Sequence, residues 1–219
     1  MKSSKCKLYK NVDNFRAEYG FSIYDSIDTL LLVKYNERVD LEYLDFKTPG
    51  LCGLAMVGES KDTIVLNSNR TSTEQRFDCG HELMHLYLHR HLESSFNCFT
   101  TQKSNQNSFL EWQANEGAAQ LLVPFQDFIP RFFNLFSYSR LTTDCDIRNI
   151  LADHYHVTFQ VIHNRIDCLS YEIDQFATGC PIAKIQLLSR NQRMKLNILP
   201  TAYNAECDFP FRENTFITG

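Results

Sequence analysis

An α+β fold is predicted by three features of this 219-residue sequence. Between Val39 and Asn67, three short runs alternate with a period of two and are separated by the turn-like KTPG and GESKD, the pattern of a small sheet of hairpin-connected strands. On either side, apolar residues recur at helical spacing. One of these helices carries GHELMHLYLH at residues 80–89, with two histidines on one face. Hydrophobic residues make up 43% and charged residues 22%, an ordinary globular mixture that excludes a disordered or fibrous chain. The net charge of −4 gives no overall attraction to nucleic acid. No apolar run approaches the ~18 residues that span a membrane. The basic start, MKSSKCKLYKNVDNF, lacks the apolar stretch of a secretion signal, so a cytoplasmic protein without a membrane partner is expected.

Taken in order, residues 8–34 read as two helices, with Phe15, Tyr19 and Ile23 and then Ile27, Leu30 and Leu31 at helical intervals. VDLEYLDF (39–46), LCGLAMV (51–57) and TIVLN (63–67) supply the strands. Ser72 or Thr73 offers an N-cap, with Glu74 in the first turn of a helix that runs to about His91. FTTQKSNQNS (99–108) is polar and reads as a loop. A second strong helix runs from about Ser108 to Leu122 and stops at Pro124. The aromatic-rich segment 125–136 leads into helical patterns at 144–155 and 158–168, joined by His156-Val157, the shape of a helix-turn-helix. The last forty residues carry a basic patch of Lys184, Arg190, Arg193 and Lys195. The chain therefore divides into a core over 1–124, a helix-turn-helix-like module over 125–175, and an extension over 176–219. Its eight cysteines are scattered, and no pair has the spacing of a zinc knuckle or redox motif. Free thiols are the preferred reading, with a metal site at Cys168, Cys180 and Cys207 as the lesser alternative.

The chemistry concentrates in HELMH. His81 and His85 are four apart, which leaves them about 40° apart on one helical face, so both imidazoles reach one Zn²⁺. Glu82 stands beside the metal, where it can take a proton from a water that the metal activates. In a chain of this composition HExxH arises by accident on the order of 0.01 times, so two incidental core histidines are the weaker reading. A catalytic zinc needs a third protein ligand and one open position. The next helix offers Glu111 in EWQAN, with Asn115 four residues on, placed to hold a ligand histidine from behind. Glu116 lies about 140° around the helix from Glu111 and is expected to face solvent.

STEQRFDCGHELMHLYLH followed by EWQANEGAAQLLVP resembles the ImmA/IrrE family of zinc metallopeptidases. Its members show RF-x-x-x-HELGH and then E-x-E-A-N-x-F-A-A-x-L-L-M-P. The resemblance spans about 60–170, with a weaker likeness over ILADHYHVTFQVIHNRI. It implies a zincin core with a gluzincin-like active site and a helical module: His81, His85 and Glu111 as zinc ligands, Glu82 as base, Asn115 as the partner behind them. Gln113 stands where the family usually has a second glutamate, Gly117 where it has an aromatic, and Met84 where it has glycine. His89 continues the histidine series, and a histidine there is common in the family. A fourth ligand would close the open position, so His89 is given a supporting or capping role.

The leading expectation is a zinc-dependent endopeptidase, with TIVLN as an edge on which an extended peptide adds. The resemblance implies as substrate a helix-turn-helix repressor of a mobile element or stress regulon, encoded by an adjacent gene and relieved by cleavage. One alternative is a transcription regulator that binds DNA through 144–168. There, Arg148 and Arg165 face Asp144, Asp146, Asp153 and Asp167, so the segment lacks the positive surplus that phosphate attraction needs, and direct DNA binding is not expected. The other alternative is a non-hydrolytic zinc-containing toxin or interaction module, against which the intact Glu82 argues.

Overall fold

The computed structural model describes residues 4–101, 103–104, 106–138 and 144–203. In chain order these form α1 (Lys5–Glu18), α2 (Thr29–Lys34), β1 (Val39–Leu44), β2 (Leu51–Met56), β3 (Asp62–Asn67), α3 (Ser72–His89), β4 (Ser95–Phe99), α4 (Ser108–Leu122), α5 (Phe125–Tyr138), α6 (Asp144–Tyr155), α7 (Phe159–Cys168) and α8 (Ser170–Ala177). A 3-10 turn at Ile182–Lys184 precedes α9 (Arg190–Lys195). The described residues fall into two compact units, one of residues 27–118 and one of residues 4–26 with 119–203. No helix among them is long and apolar enough to cross a membrane.

In the 27–118 unit the sheet runs β1-β3-β2-β4. β3 pairs antiparallel with β2 as a hairpin, but β1 joins β3 in parallel, Val39 opposite Asp62 and Leu44 opposite Asn67. The expected run of hairpins is thus corrected: β1 does not pair with the strand that follows it. Burial gives the reason. Ile64 and Leu66 of β3 are fully buried, whereas β1 buries only Val39, so β3 takes the interior and β1 an edge. TIVLN is therefore not an edge strand. β4 was hidden in SFNCF, where Phe96 and Cys98 are buried at a period of two, and it closes the sheet antiparallel to β2. A register irregularity between Leu51 and Gly53 marks that pairing.

α3 lies against β2 and β3. Its N-cap is Thr71, earlier than Ser72 or Thr73, because only Thr71 has Glu74 at the third helical position to close a capping box. Every residue from Asp78 to Leu86 is buried, so this stretch of the helix faces protein all round. At its start, Thr29 Oγ1 donates to the Arg76 carbonyl at 2.6 Å, and Arg76 pairs with Asp28, the N-cap of α2.

In the second unit, α1 packs with helices that follow Ala119. Lys5 reaches the Cys168 carbonyl at 2.8 Å and Glu172 at 2.9 Å, and the Gln120 amide donates to Asp13 at 2.9 Å. α6 and α7 meet at His156, whose φ of 53° makes the turn, and Thr158 caps α7. Arg148 and Arg165 are fully buried. Arg165 donates to the Val123 carbonyl, the Tyr9 hydroxyl and Gln120 at 2.6–3.0 Å. Arg148 meets His163 at 2.6 Å and the Tyr203 carbonyl at 2.8 Å. In the basic patch, Arg193 is buried and donates to Ser170, while Lys184, Arg190 and Lys195 are exposed. Cys168 and Cys180 form no disulfide with a described cysteine, and Cys207 lies outside the described residues.

Candidate metal centre

Helical spacing on α3 and a single turn of α4 bring three donors together. His81, His85 and Glu111 are all buried, and their ligand atoms lie within 4.8 Å of one another. His81 Nε2 and His85 Nε2 stand 3.1 Å apart, and each is 3.5 Å from a different oxygen of Glu111. Two Zn–N bonds of ~2.0–2.1 Å at the tetrahedral angle would set the nitrogens roughly 3.3 Å apart, so the pair has the right span.

The side chains behind these groups fix their orientation. His81 Nδ1 is 3.0 Å from Asn115 Oδ1. That amide oxygen accepts only, so the proton of His81 sits on Nδ1 and its Nε2 presents a lone pair. His85 is held by its Nδ1, 3.1 Å from His89 Nδ1, and by Phe96, whose ring stacks on it at 4.4 Å. His89 is not one of the converging donors; its Nε2 lies 3.2 Å from Gln113 Oε1. Burial pushes the imidazoles of His85 and His89 down to about 4. Burial opposes ionisation of Glu111, whereas the neighbouring His81 and His85 favour it and hold this carboxyl at about 2. Near neutral pH His85 and His89 are therefore neutral imidazoles, and Glu111 is a carboxylate.

Glu82 is wholly buried, and neither of its oxygens has a hydrogen-bond partner at bonding geometry. Burial pushes its carboxyl well above the usual range, with the charge of Glu111 adding to the rise and the Cys98 backbone working against it. It fits because position 53 is glycine. A Cβ there would sit 3.3 Å from Glu82 Oε1 and 3.2 Å from Leu66. Lone pairs converging on one point, beside an orphaned buried carboxyl, form a cluster that a divalent cation would satisfy, so the donor set fits zinc.

Glu116 is corrected. It is buried, 2% exposed, and does not face solvent. The reason is that α4 is enclosed on most sides here, with Gln113, Ala114, Gly117 and Ala118 buried as well. Sequence reading also passed over Gly53 and Phe96. SFNCF carried a signal for Phe96 in its alternation; the approach of Gly53 to Glu82 is between distant segments and left none.

Search among curated proteins yields no match to this chain. The model of the IrrE N-terminal-like domain, peptidase M78, matches residues 37–167, which is more than half of the sequence and contains every residue of the cluster. With two histidines and a glutamate converging on α3 and α4 inside that match, the chain belongs to the ImmA/IrrE family of M78 metallopeptidases.

Proposed function

We propose that the protein is a zinc-dependent endopeptidase of gluzincin type that cleaves a helix-turn-helix repressor encoded beside it and so relieves repression. His81, His85 and Glu111 would hold the ion. The convergence of these three donors, with Glu82 buried beside them, carries the reading. When bound, a divalent zinc polarises a carbonyl and makes a water easier to deprotonate. Glu82 takes the proton of the attacking water and later delivers it to the leaving amine. An environment that raises its proton affinity suits a group that must hold the proton between those transfers. Asn115 keeps His81 in the tautomer that leaves Nε2 free.

β4, not β3, is the sheet edge beside the histidines, since Phe96 stacks on His85. An extended substrate segment adds along β4 by main-chain hydrogen bonding. The α6–α7 module, whose Arg148 and Arg165 are spent on internal hydrogen bonds, serves as scaffold or docking surface for the substrate.

The test is Glu82→Gln, with bound zinc and cleavage of the neighbouring repressor measured side by side. The amide cannot accept the proton, so cleavage should fall at least ~10²-fold while zinc stays. Undiminished cleavage by this variant would remove Glu82 from the mechanism.

A further inference from the structure

We propose that Gln113 is a positioning residue that sets, through His89, the tautomer of His85 and so holds the His85 Nε2 lone pair toward Glu111 and His81. The inference rests on the metal-centre reading above and extends it. Three contacts form an unbroken line. Gln113 Oε1 is 3.2 Å from His89 Nε2, His89 Nδ1 is 3.1 Å from His85 Nδ1, and His85 Nε2 is 3.5 Å from Glu111.

A neutral imidazole has one proton and one lone pair, so each contact dictates the next. The amide oxygen of Gln113 only accepts, which places the His89 proton on Nε2. His89 Nδ1 is then a bare lone pair, and His85 Nδ1 must donate to it. His85 Nε2 is left unprotonated, facing the cluster. Working from the other end gives the same order. A cation at the cluster needs the lone pair at His85 Nε2, which demands Nδ1–H on His85, a lone pair at His89 Nδ1, a proton at His89 Nε2, and finally an acceptor. Turning the Gln113 amide so that its NH₂ met His89 would reverse every link and put a proton where the ion must bind.

Burial makes the acceptor hard to replace. His85 is fully buried, His89 2% and Gln113 9% exposed, so no bulk water stands ready to take the place of the amide oxygen. The two ligand histidines are thus set by two amides, His81 directly by Asn115 and His85 at one remove by Gln113. An ionised glutamate at 113 would also only accept and preserves the order. A methionine of similar length offers no such acceptor and does not.

The experiment reads proton positions by long-range ¹⁵N NMR of the metal-free full chain, and zinc affinity by competition with a chelator. In the wild type, His85 should carry its proton on Nδ1 and His89 on Nε2. Gln113→Met should mix the tautomers of both rings and weaken zinc about tenfold or more, whereas Gln113→Glu should keep the proton order and an affinity near wild type. The inference is overturned by a wild type with the His89 proton on Nδ1, by Gln113→Met leaving tautomers and affinity unchanged, or by Gln113→Glu restoring neither. The wild-type spectrum alone decides the proton order if the methionine variant does not fold. A chain with the expected tautomers that binds no zinc would defeat the metal-centre reading and leave the relay intact.

Discussion

Glu111 and Glu116 stand five residues apart on one helix, both buried, and Glu111 meets the histidines. The choice between them was legible in the sequence through angle: five residues turn the helix by about 140° from the first carboxylate. Exposure, the other argument for separating them, failed because neighbours on α4 are buried on several faces at once. Three donors that converge on one point gain a common partner when a cation lies between them. Metal binding at the proposed site is therefore expected to stabilise the fold. Zinc at a thousandfold excess over its Kd should add about 4 kcal/mol to stability. Glu111→Gln removes the anionic donor and should lose most of that increment. Thermal unfolding after dialysis against a chelator, with and without added zinc, reads both effects. A Glu111→Gln variant that keeps the full zinc-induced rise in Tm would take Glu111 out of the ligand set.

Helices α3 and α4 explain each other's departures from the family pattern. Met84 replaces a usual glycine and Gly117 a usual aromatic, and the two positions touch. A Cβ on Gly117 would lie 3.1 Å from Met84 Cγ and 3.3 Å from its sulfur. The bulk has moved from one helix to the other, a volume-conserving exchange of the kind cores tolerate. Met84→Gly alone should therefore cost about 3–5 kcal/mol through the cavity it leaves. Gly117→Phe alone should cost about 1–3 kcal/mol or more by overpacking. The double variant should recover part of both losses, with a coupling of about 1–3 kcal/mol in a denaturation cycle. Strict additivity would show that the two positions do not share this space. Both departures were visible in the sequence, but their compensation was not, because nothing local says that residue 84 faces residue 117. The same limit explains the sheet. Alternation located β1, β2 and β3, while the parallel union of β1 with β3 depends on which strand takes the interior of the sheet. By contrast, His81, His85, Glu111 and Asn115 were legible because helical spacing within two short stretches already places each pair on one face.

Across the whole chain, the placement of arginine decides what the helical module can do. The sequence counts Arg148 and Arg165 among the cations of a helix-turn-helix pattern, and a count cannot tell a surface guanidinium from a buried one. Both are fully buried and bound to groups of their own unit, Arg165 to Val123, Tyr9 and Gln120, and Arg148 to His163 and Tyr203. Releasing either to a phosphate would leave buried acceptors unpaired, at about 1–3 kcal/mol for each group. Phosphate contacts supply most non-specific DNA affinity and its dependence on salt. With these two arginines committed inside, the helical module does not offer them to a phosphate. The purified protein, titrated against fluorescent duplex carrying the operator of the repressor proposed above as substrate, should show no saturable sequence-specific binding at physiological salt. The repressor itself should bind the same duplex, and its signal should fall when the peptidase is added with zinc. Tight binding by the peptidase alone, weakening steeply as salt is raised, would mean that other cations of the chain form a phosphate-binding surface and that the module reads DNA after all.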